Sequence, residues 1–202
     1  VGTELEISQL TFANTPADQA AATQMYNNFL FEMWRGIPYA VSILLILGAH
    51  ELGHYFAARR HKLAVTLPYF IPLPPGLLPV LNIGTLGAFI QLRAPMKNRK
   101  VLLDVGASGP LIGLAFAVPI LLIGLANSPV LQFEPGQLYS MEGSSLLYSL
   151  SKFVIFGRVL PSSIEDVFLN QLAWAGWTGL LVTALNLIPI GQLDGGHLMY
   201  AL

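Results

Sequence analysis

The feature that most limits what this chain can fold into is an almost wholly apolar run, Ile37 to Gly48, that leads directly into Ala49-His50-Glu51-Leu52-Gly53-His54-Tyr55. The run continues to Arg59 and Arg60 and predicts a helix from Arg35 to about Arg60, long enough to cross a hydrocarbon layer of about 30 Å. Ionisable groups inside such a span are costly, about 2.5 to 3.5 kcal/mol each on insertion scales, and by default mark function. On a helix, His50 and His54 lie one turn apart on one face, where two imidazole nitrogens can share a zinc ion. Glu51 falls beside them rather than in line. The spacing fits the H-E-x-x-H pattern of two metal ligands and a carboxylate that accepts a proton from water.

Composition places the rest of the chain in the same environment. Of 202 residues, 54% are hydrophobic and 10% charged, against roughly 25% charged in a soluble domain. A net charge of -1 gives no reason to expect a nucleic-acid partner. With no cysteine, disulfides, thiolate metal sites and a cysteine nucleophile are all excluded, so a metal must be held by His, Asp or Glu. The start at Val1, with no signal-peptide pattern, reads as a fragment or a processed chain.

Residues 1–33 read as a soluble lead-in with one helix over Ala17 to Phe31, and residues 34–202 as the membrane core. Seven of the ten Lys and Arg residues lie between Arg59 and Lys100, which assigns that connection to the cytoplasmic side. Within it, Pro68, Pro72, Pro74, Pro75 and Pro79 forbid a regular helix, and Ile83 to Leu92 reads as a short strand or hairpin opened by Gly84 and Gly87. An irregular segment this apolar is expected to be a re-entrant or interfacial hairpin beside the site. A second span is expected over Asp104 to Ala126, with Asp104 either as its N-cap or as a polar group near the site, and the small residues Gly106, Ser108, Gly109 and Gly113 as a packing face. Asn127 to Asp166 is more polar and suits the opposite side of the membrane, with Leu146 to Phe156 as an interfacial helix. A third span, Val167 to about Ile188, then returns the chain and delivers Asp194 to the side of His50 and His54. Two histidines, one carboxylate and an open position describe a catalytic rather than a structural zinc site. His61 and His197 are expected to be interfacial polar residues and not ligands.

Three blocks together resemble the site-2 protease family of intramembrane zinc metalloproteases: His50-Glu51-Leu52-Gly53-His54, Asp104-Val105-Gly106-Ala107-Ser108-Gly109-Pro110, and Asn186 through Asp194-Gly195-Gly196. The Pro-rich connection, Gly84 to Ala88 and Pro189 to Gly196 are similar to the bacterial and plastid branch. The resemblance implies an all-α polytopic membrane protein, a three-helix transmembrane protease core with a small re-entrant or interfacial β-hairpin. It implies one zinc per chain on His50, His54 and Asp194, Glu51 as general base, Asn186 near the scissile carbonyl or its oxyanion, and strand addition of an unwound substrate to the hairpin. The expected substrate is a transmembrane segment of another membrane protein in a lipid bilayer. The expected setting is the bacterial inner membrane, with a plastid membrane as the second choice. The family often pairs asparagine with proline, where this chain has Asn186-Leu187 and Pro189, and its members usually continue beyond the aspartate motif, so a C-terminal truncation at Leu202 is expected. The competing reading is a proteolytically inactive relative or a metal transporter; no internal repeat is present, and Glu51 and all three ligands are.

Overall fold

A run of Ile, Leu, Val and Ala with no proline after Pro38 gives one unbroken helix, α1 (Ile37–Arg60), of 24 residues, about 36 Å at 1.5 Å per residue. The computed structural model of the chain describes residues 24, 33–72, 85–89, 98–133, 141–191 and 193–202, with backbone alone at 33, 70–72 and 85–89. It divides into two compact units, Val1–Pro38 and Tyr39–Leu202. Of the first, the 3-10 turn Met33–Gly36 is described; the lead-in helix expected over residues 17–31 lies outside the described residues apart from Gln24.

After α1, β1 (Tyr69–Pro72) pairs antiparallel with β2 (Thr85–Phe89), Tyr69 opposite Phe89 and Phe70 opposite Ala88. The register shifts between Phe70 and Pro72, as expected where a residue without an N–H ends a ladder. The expected strand is therefore present, and its partner comes from the Pro-rich connection.

Helix α2 (Arg99–Ala126) is longer than expected and begins five residues earlier. Its N-cap is Asn98, whose side chain accepts from the Val101 N–H, so Asp104 is not a cap; it lies in the second turn, where its carboxylate pairs with His61 at 3.0 Å. Asparagine and aspartate cap equally well, and the apolar run alone does not show that Arg99 and Lys100 already belong to the first helical turn. Pro110 and Pro119 lie inside α2 without ending it.

Helix α3 (Leu146–Phe156) coincides with the expected interfacial helix, capped by Ser145 and ended by Gly157 in the left-handed region at φ 67°. The short strands β3 (Val130–Gln132) and β4 (Glu165–Val167) pair antiparallel beside it. Helix α4 (Gln171–Asn186) has 16 residues, about 24 Å, and starts later than the expected third span because residues 165–167 are in β4 and Asn170 is the cap. Helix α5 (Asp194–Ala201) closes the chain. Among the described residues two helices, α1 with its preceding turn and α2, are long and apolar enough to cross a membrane. Both expose large apolar side chains, including Leu44, Leu45 and Phe56 on α1 and Leu111, Phe116 and Ile123 on α2, as surfaces do when lipid is their solvent.

Helix α4 runs antiparallel to α2 at very short range. A Cβ at Gly124 would strike the backbone of Ala173, one at Gly176 the backbone of Leu121, and one at Gly179 the side chains of Ile46 and Ala117. Small residues are what allow helices to approach this closely in lipid. The main core, with Ile46, Ala117, Leu121, Leu125, Tyr148 and Leu180 among its residues, lies along this seam.

The stretch before and after α3 holds an unexpected ionic cluster. Lys152, 2% exposed, lies 2.8 Å from Asp166 Oδ1 and 3.1 Å from Glu142 Oε1, and the Tyr148 hydroxyl donates to Glu142. Burial pushes the Glu142 carboxyl up, but the Tyr148 hydrogen bond and the Lys152 charge more than offset it and hold it below its ordinary 4.5. Removing one partner of a buried ion pair costs about 3–5 kcal/mol. Lys152→Met is therefore expected to lower stability by about that amount, read from thermal unfolding in detergent. Because the Glu142 pKa is lower folded than unfolded, its contribution is complete above pH 4.5 and lost as pH falls through the lower folded value. Melting temperature against pH should show this acid loss in the unmodified chain and less of it in Glu142→Gln.

Candidate metal centre

The helical period puts His50 and His54 on the same side of α1, and both side chains are buried, at 4% and 6% exposed. What they bury against is α2. A Cβ on Gly109 would clash with the His54 ring, most severely at Nε2, and one on Gly113 would crowd the His50 ring at 3.1 Å. On the α1 side, a Cβ on Gly53 would meet the Ser108 carbonyl oxygen at 2.7 Å. Glycines on both helices thus make a cradle for two imidazoles between two backbones. The spacing of Gly106, Ser108, Gly109 and Gly113 suggested a packing face, but not that the rings themselves fill it.

The third group arrives from the other end of the chain. After α4, residues 187–191 reverse direction, with Gly191 in the left-handed region at φ 56°. Gly195 and Gly196 then let the first turn of α5 lie against that reversal, where a Cβ at Gly195 would strike the Leu187 and Ile188 carbonyls and one at Gly196 the Gly191 carbonyl. Asp194 is placed in the first turn of α5, with Oδ2 at 3.2 Å from His50 Nε2 and Oδ1 at 3.3 Å from His54 Nε2. The two histidine Nε2 atoms are 3.2 Å apart.

The proton inventory says what this arrangement needs. His54 Nδ1 lies 2.7 Å from the Val105 carbonyl oxygen. A carbonyl only accepts, so Nδ1 carries the hydrogen and, in a neutral imidazole, Nε2 carries a lone pair. That lone pair faces a second imidazole nitrogen and a carboxylate, and such a convergence is favourable around a cation. Ligand bonds of about 2.0–2.1 Å in a tetrahedron put donors about 3.3–3.4 Å apart, close to the separations seen here. The donor set therefore fits zinc. The Val105 carbonyl, which also accepts from Ser108 Oγ at 2.7 Å, fixes the tautomer as a backbone group next to a metal ligand commonly does. Sequence reasoning could not find it, because a main-chain acceptor carries no side-chain signature.

Glu51 is half-buried on the adjoining face of α1, next to His50 in the chain. Asn186, the last residue of α4, has its amide nitrogen 3.5 Å from His50 Nε2. The structure thus gathers all five residues singled out in the sequence. His61 is paired with Asp104, and His197 stands on α5 with its Cβ 3.6 Å from where a Cβ on Gly106 would lie. Among the described residues the group that could hold a metal ion is His50, His54 and Asp194.

A family model for peptidase family M50 matches residues 38–202. The chain belongs to peptidase family M50, the site-2 protease family. The probable zinc metalloprotease EGY1, chloroplastic, of Arabidopsis thaliana is 35% identical over 165 residues, which is 80% of this chain and 28% of that protein. The probable zinc metalloprotease EGY2, chloroplastic, of Oryza sativa subsp. japonica is 32% identical over 200 residues, 97% of this chain and 34% of that protein. The probable zinc metallopeptidase EGY3, chloroplastic, of Arabidopsis thaliana is 30% identical over 179 residues, 82% of this chain and 30% of that protein. The chain spans about a third of the length of these relatives. No solved structure matches it. The expected bacterial inner membrane finds no support in these relatives, whose names are chloroplastic.

The cradle gives a direct test within this M50 core. Gly109→Ala drives a methyl group against the His54 ring at Nε2 and is expected to abolish zinc retention, read by elemental analysis after gel filtration. Gly106→Ala, three residues away, makes only ordinary van der Waals contacts, with His197, Leu198 and the Asp194 main-chain carbonyl, and is expected to keep its zinc.

Proposed function

We propose that this chain carries the catalytic centre of a zinc-dependent endopeptidase that cuts membrane-spanning segments of other membrane proteins. The observation that carries the reading is the convergence of Asp194, at the start of α5, on His50 and His54 of α1, a helix long and apolar enough to cross a bilayer, with the ligand atoms of all three within 4.8 Å of one another. The M50 family match and the zinc metalloprotease names of the relatives support it. Bound to these three residues, one zinc per chain would polarise a peptide carbonyl and acidify water.

The chain's own residues supply the remaining chemistry. Glu51 accepts the proton of the attacking water and returns it to the leaving nitrogen. The Asn186 amide, beside His50 at the end of α4, donates to the oxygen on which charge develops. A helical substrate hides its carbonyls in its own hydrogen bonds and must unwind before it can react, which glycine, proline or asparagine in the substrate favours. β2 has β1 on one edge, and its other edge can take the unwound segment as an added strand.

In this reading residues 1–33 are a lead-in, 34–202 form the protease core, and α4 joins α1 and α2 as a third, shorter membrane helix. The chain is multi-pass, with the end bearing Arg59, Arg60, Arg99 and Lys100 on the cytoplasmic or equivalent side. The chloroplastic relatives support a plastid membrane over a bacterial one. The presence of Glu51 with all three ligands favours an active protease over an inactive relative.

The test measures zinc content together with cleavage of a single-span substrate in detergent. The unmodified chain and Glu51→Gln should both hold about one zinc, with cleavage lower by about 100- to 10,000-fold in the variant. Asn186→Ala should keep zinc and lose about 100- to 1,000-fold of the rate. His197→Ala should keep both. An unmodified chain that binds no zinc contradicts the reading.

A further inference from the structure

We propose that the outward face of α3 is a lipid-contacting surface, set at the hydrocarbon boundary and held there by apolar burial rather than by charge. The inference rests on the chain's place in a membrane and not on its being a protease.

The first observation is that α3 is turned polar side in. At about 100° per residue, Phe153, Leu146, Leu150, Val154 and Leu147 occupy one arc of about 120°, and all five are exposed, Leu146 by 93%. The opposite arc carries Ser151, Tyr148 and Lys152, all buried. A helix on the surface of a water-soluble domain does the reverse. Here the polar side chains are satisfied within the protein: Lys152 by Glu142 and Asp166, Tyr148 by Glu142, and Ser151 by the Leu147 carbonyl at 2.8 Å.

The second observation says what covers the outward arc, because two independent markers put α3 at the edge of the bilayer. Tyr148 packs in one cluster with Leu121 and Leu125, in the last two turns of α2. About 20 helical residues fill the hydrocarbon layer. Counted from Val101, just past Arg99 and Lys100, they end close to Leu121. The other marker is a tryptophan pair: Trp174 and Trp177, edge to face with ring centroids 5.3 Å apart, lie in the first two turns of α4. The Trp177 indole donates to the Gly143 carbonyl at 2.8 Å, two residues before the α3 cap Ser145. Tryptophan concentrates at membrane–water interfaces, where an apolar ring carries one polar edge. The helix span and the tryptophans therefore mark one level, and α3 is tied to it from both.

The third observation concerns charge. The cations between residues 141 and 167 are Lys152 and Arg158. Lys152 is enclosed between two carboxylates, and Arg158 is paired with Glu165 at 2.8 Å. Interfacial helices that seek anionic lipid display unpaired cations on the polar face; this helix turns its polar face into the protein. Its occupant is the acyl region near the headgroups, whatever their charge.

The absence of cysteine from the chain makes the test direct. Leu146→Cys, Leu150→Cys and Val154→Cys, each carrying a nitroxide, are prepared in the full chain, and thermal unfolding is used to confirm that each variant is folded. They are reconstituted in nanodiscs of phosphatidylcholine alone and of phosphatidylcholine with phosphatidylglycerol. Collision with oxygen should exceed collision with a water-soluble nickel chelate at all three positions, equally in both lipids. Nickel collisions in excess would show water on this face and overturn the proposal. Low collision with both reagents would mean that protein, a second copy or a partner, covers it, and would overturn the proposal as well. So would an oxygen excess that depends on phosphatidylglycerol, since it would make the attachment electrostatic.

Discussion

The site depends on how closely α1 and α2 approach. Two helices with ordinary side chains between them pack with axes about 8–10 Å apart, according to the residues at the contact. In this chain the contact is made of Gly53 from one side and Gly109 and Gly113 from the other, and the two imidazoles fill the space that side chains would otherwise hold. In lipid no hydrophobic force drives such helices together, so shape and internal hydrogen bonds must. The His54 bond to the Val105 carbonyl is one of these, and it also selects the nitrogen that faces Asp194. Packing, tautomer and ligand geometry are thus set at one contact.

The remainder of the core serves to bring Asp194 to that contact. Helix α4 must run back along α2, and glycines at 124, 176 and 179 let it do so at backbone range. The reversal at residues 187–191 and the Gly195-Gly196 pair then turn the chain into α5 with Asp194 at its start. At the other end of α2, the Lys152 cluster holds α3 to the β3–β4 ribbon through Asp166. One end of the core therefore concentrates donors for a metal, and the other concentrates a satisfied ion cluster beneath an apolar outer face.

Much of this was legible in the sequence because the relevant signals were local or compositional. The helical period of His50 and His54, the apolar run before them and the limits of α3 all follow from neighbouring residues. Asp194 could be added because spans that cross and return leave few sides on which it can end. What stayed hidden depended on contacts between distant segments. Asp104 is a good capping residue, yet Asn98 takes the cap and Asp104 pairs with His61. Glu142, Lys152 and Asp166 read as a polar connection facing water, because no sequence pattern shows that one ammonium and two carboxylates meet in a buried cluster. Helix α4, expected from hydropathy as a third span from Val167, is shorter than that expectation, since residues 165–167 are used in a strand.

The central claim is that three lone pairs, from His50 Nε2, His54 Nε2 and an Asp194 carboxylate oxygen, converge on one zinc ion. X-ray absorption at the zinc edge of the full chain, purified without added metal, tests it most directly. The expected spectrum is that of a four-coordinate site of two imidazole nitrogens and two oxygens at about 2.0–2.2 Å, one oxygen from Asp194 and one from an exchangeable ligand. Loss of one oxygen scatterer in Asp194→Ala, with both imidazoles retained, would agree with it. A spectrum with three or more imidazoles, or one of fully hydrated zinc, would contradict it.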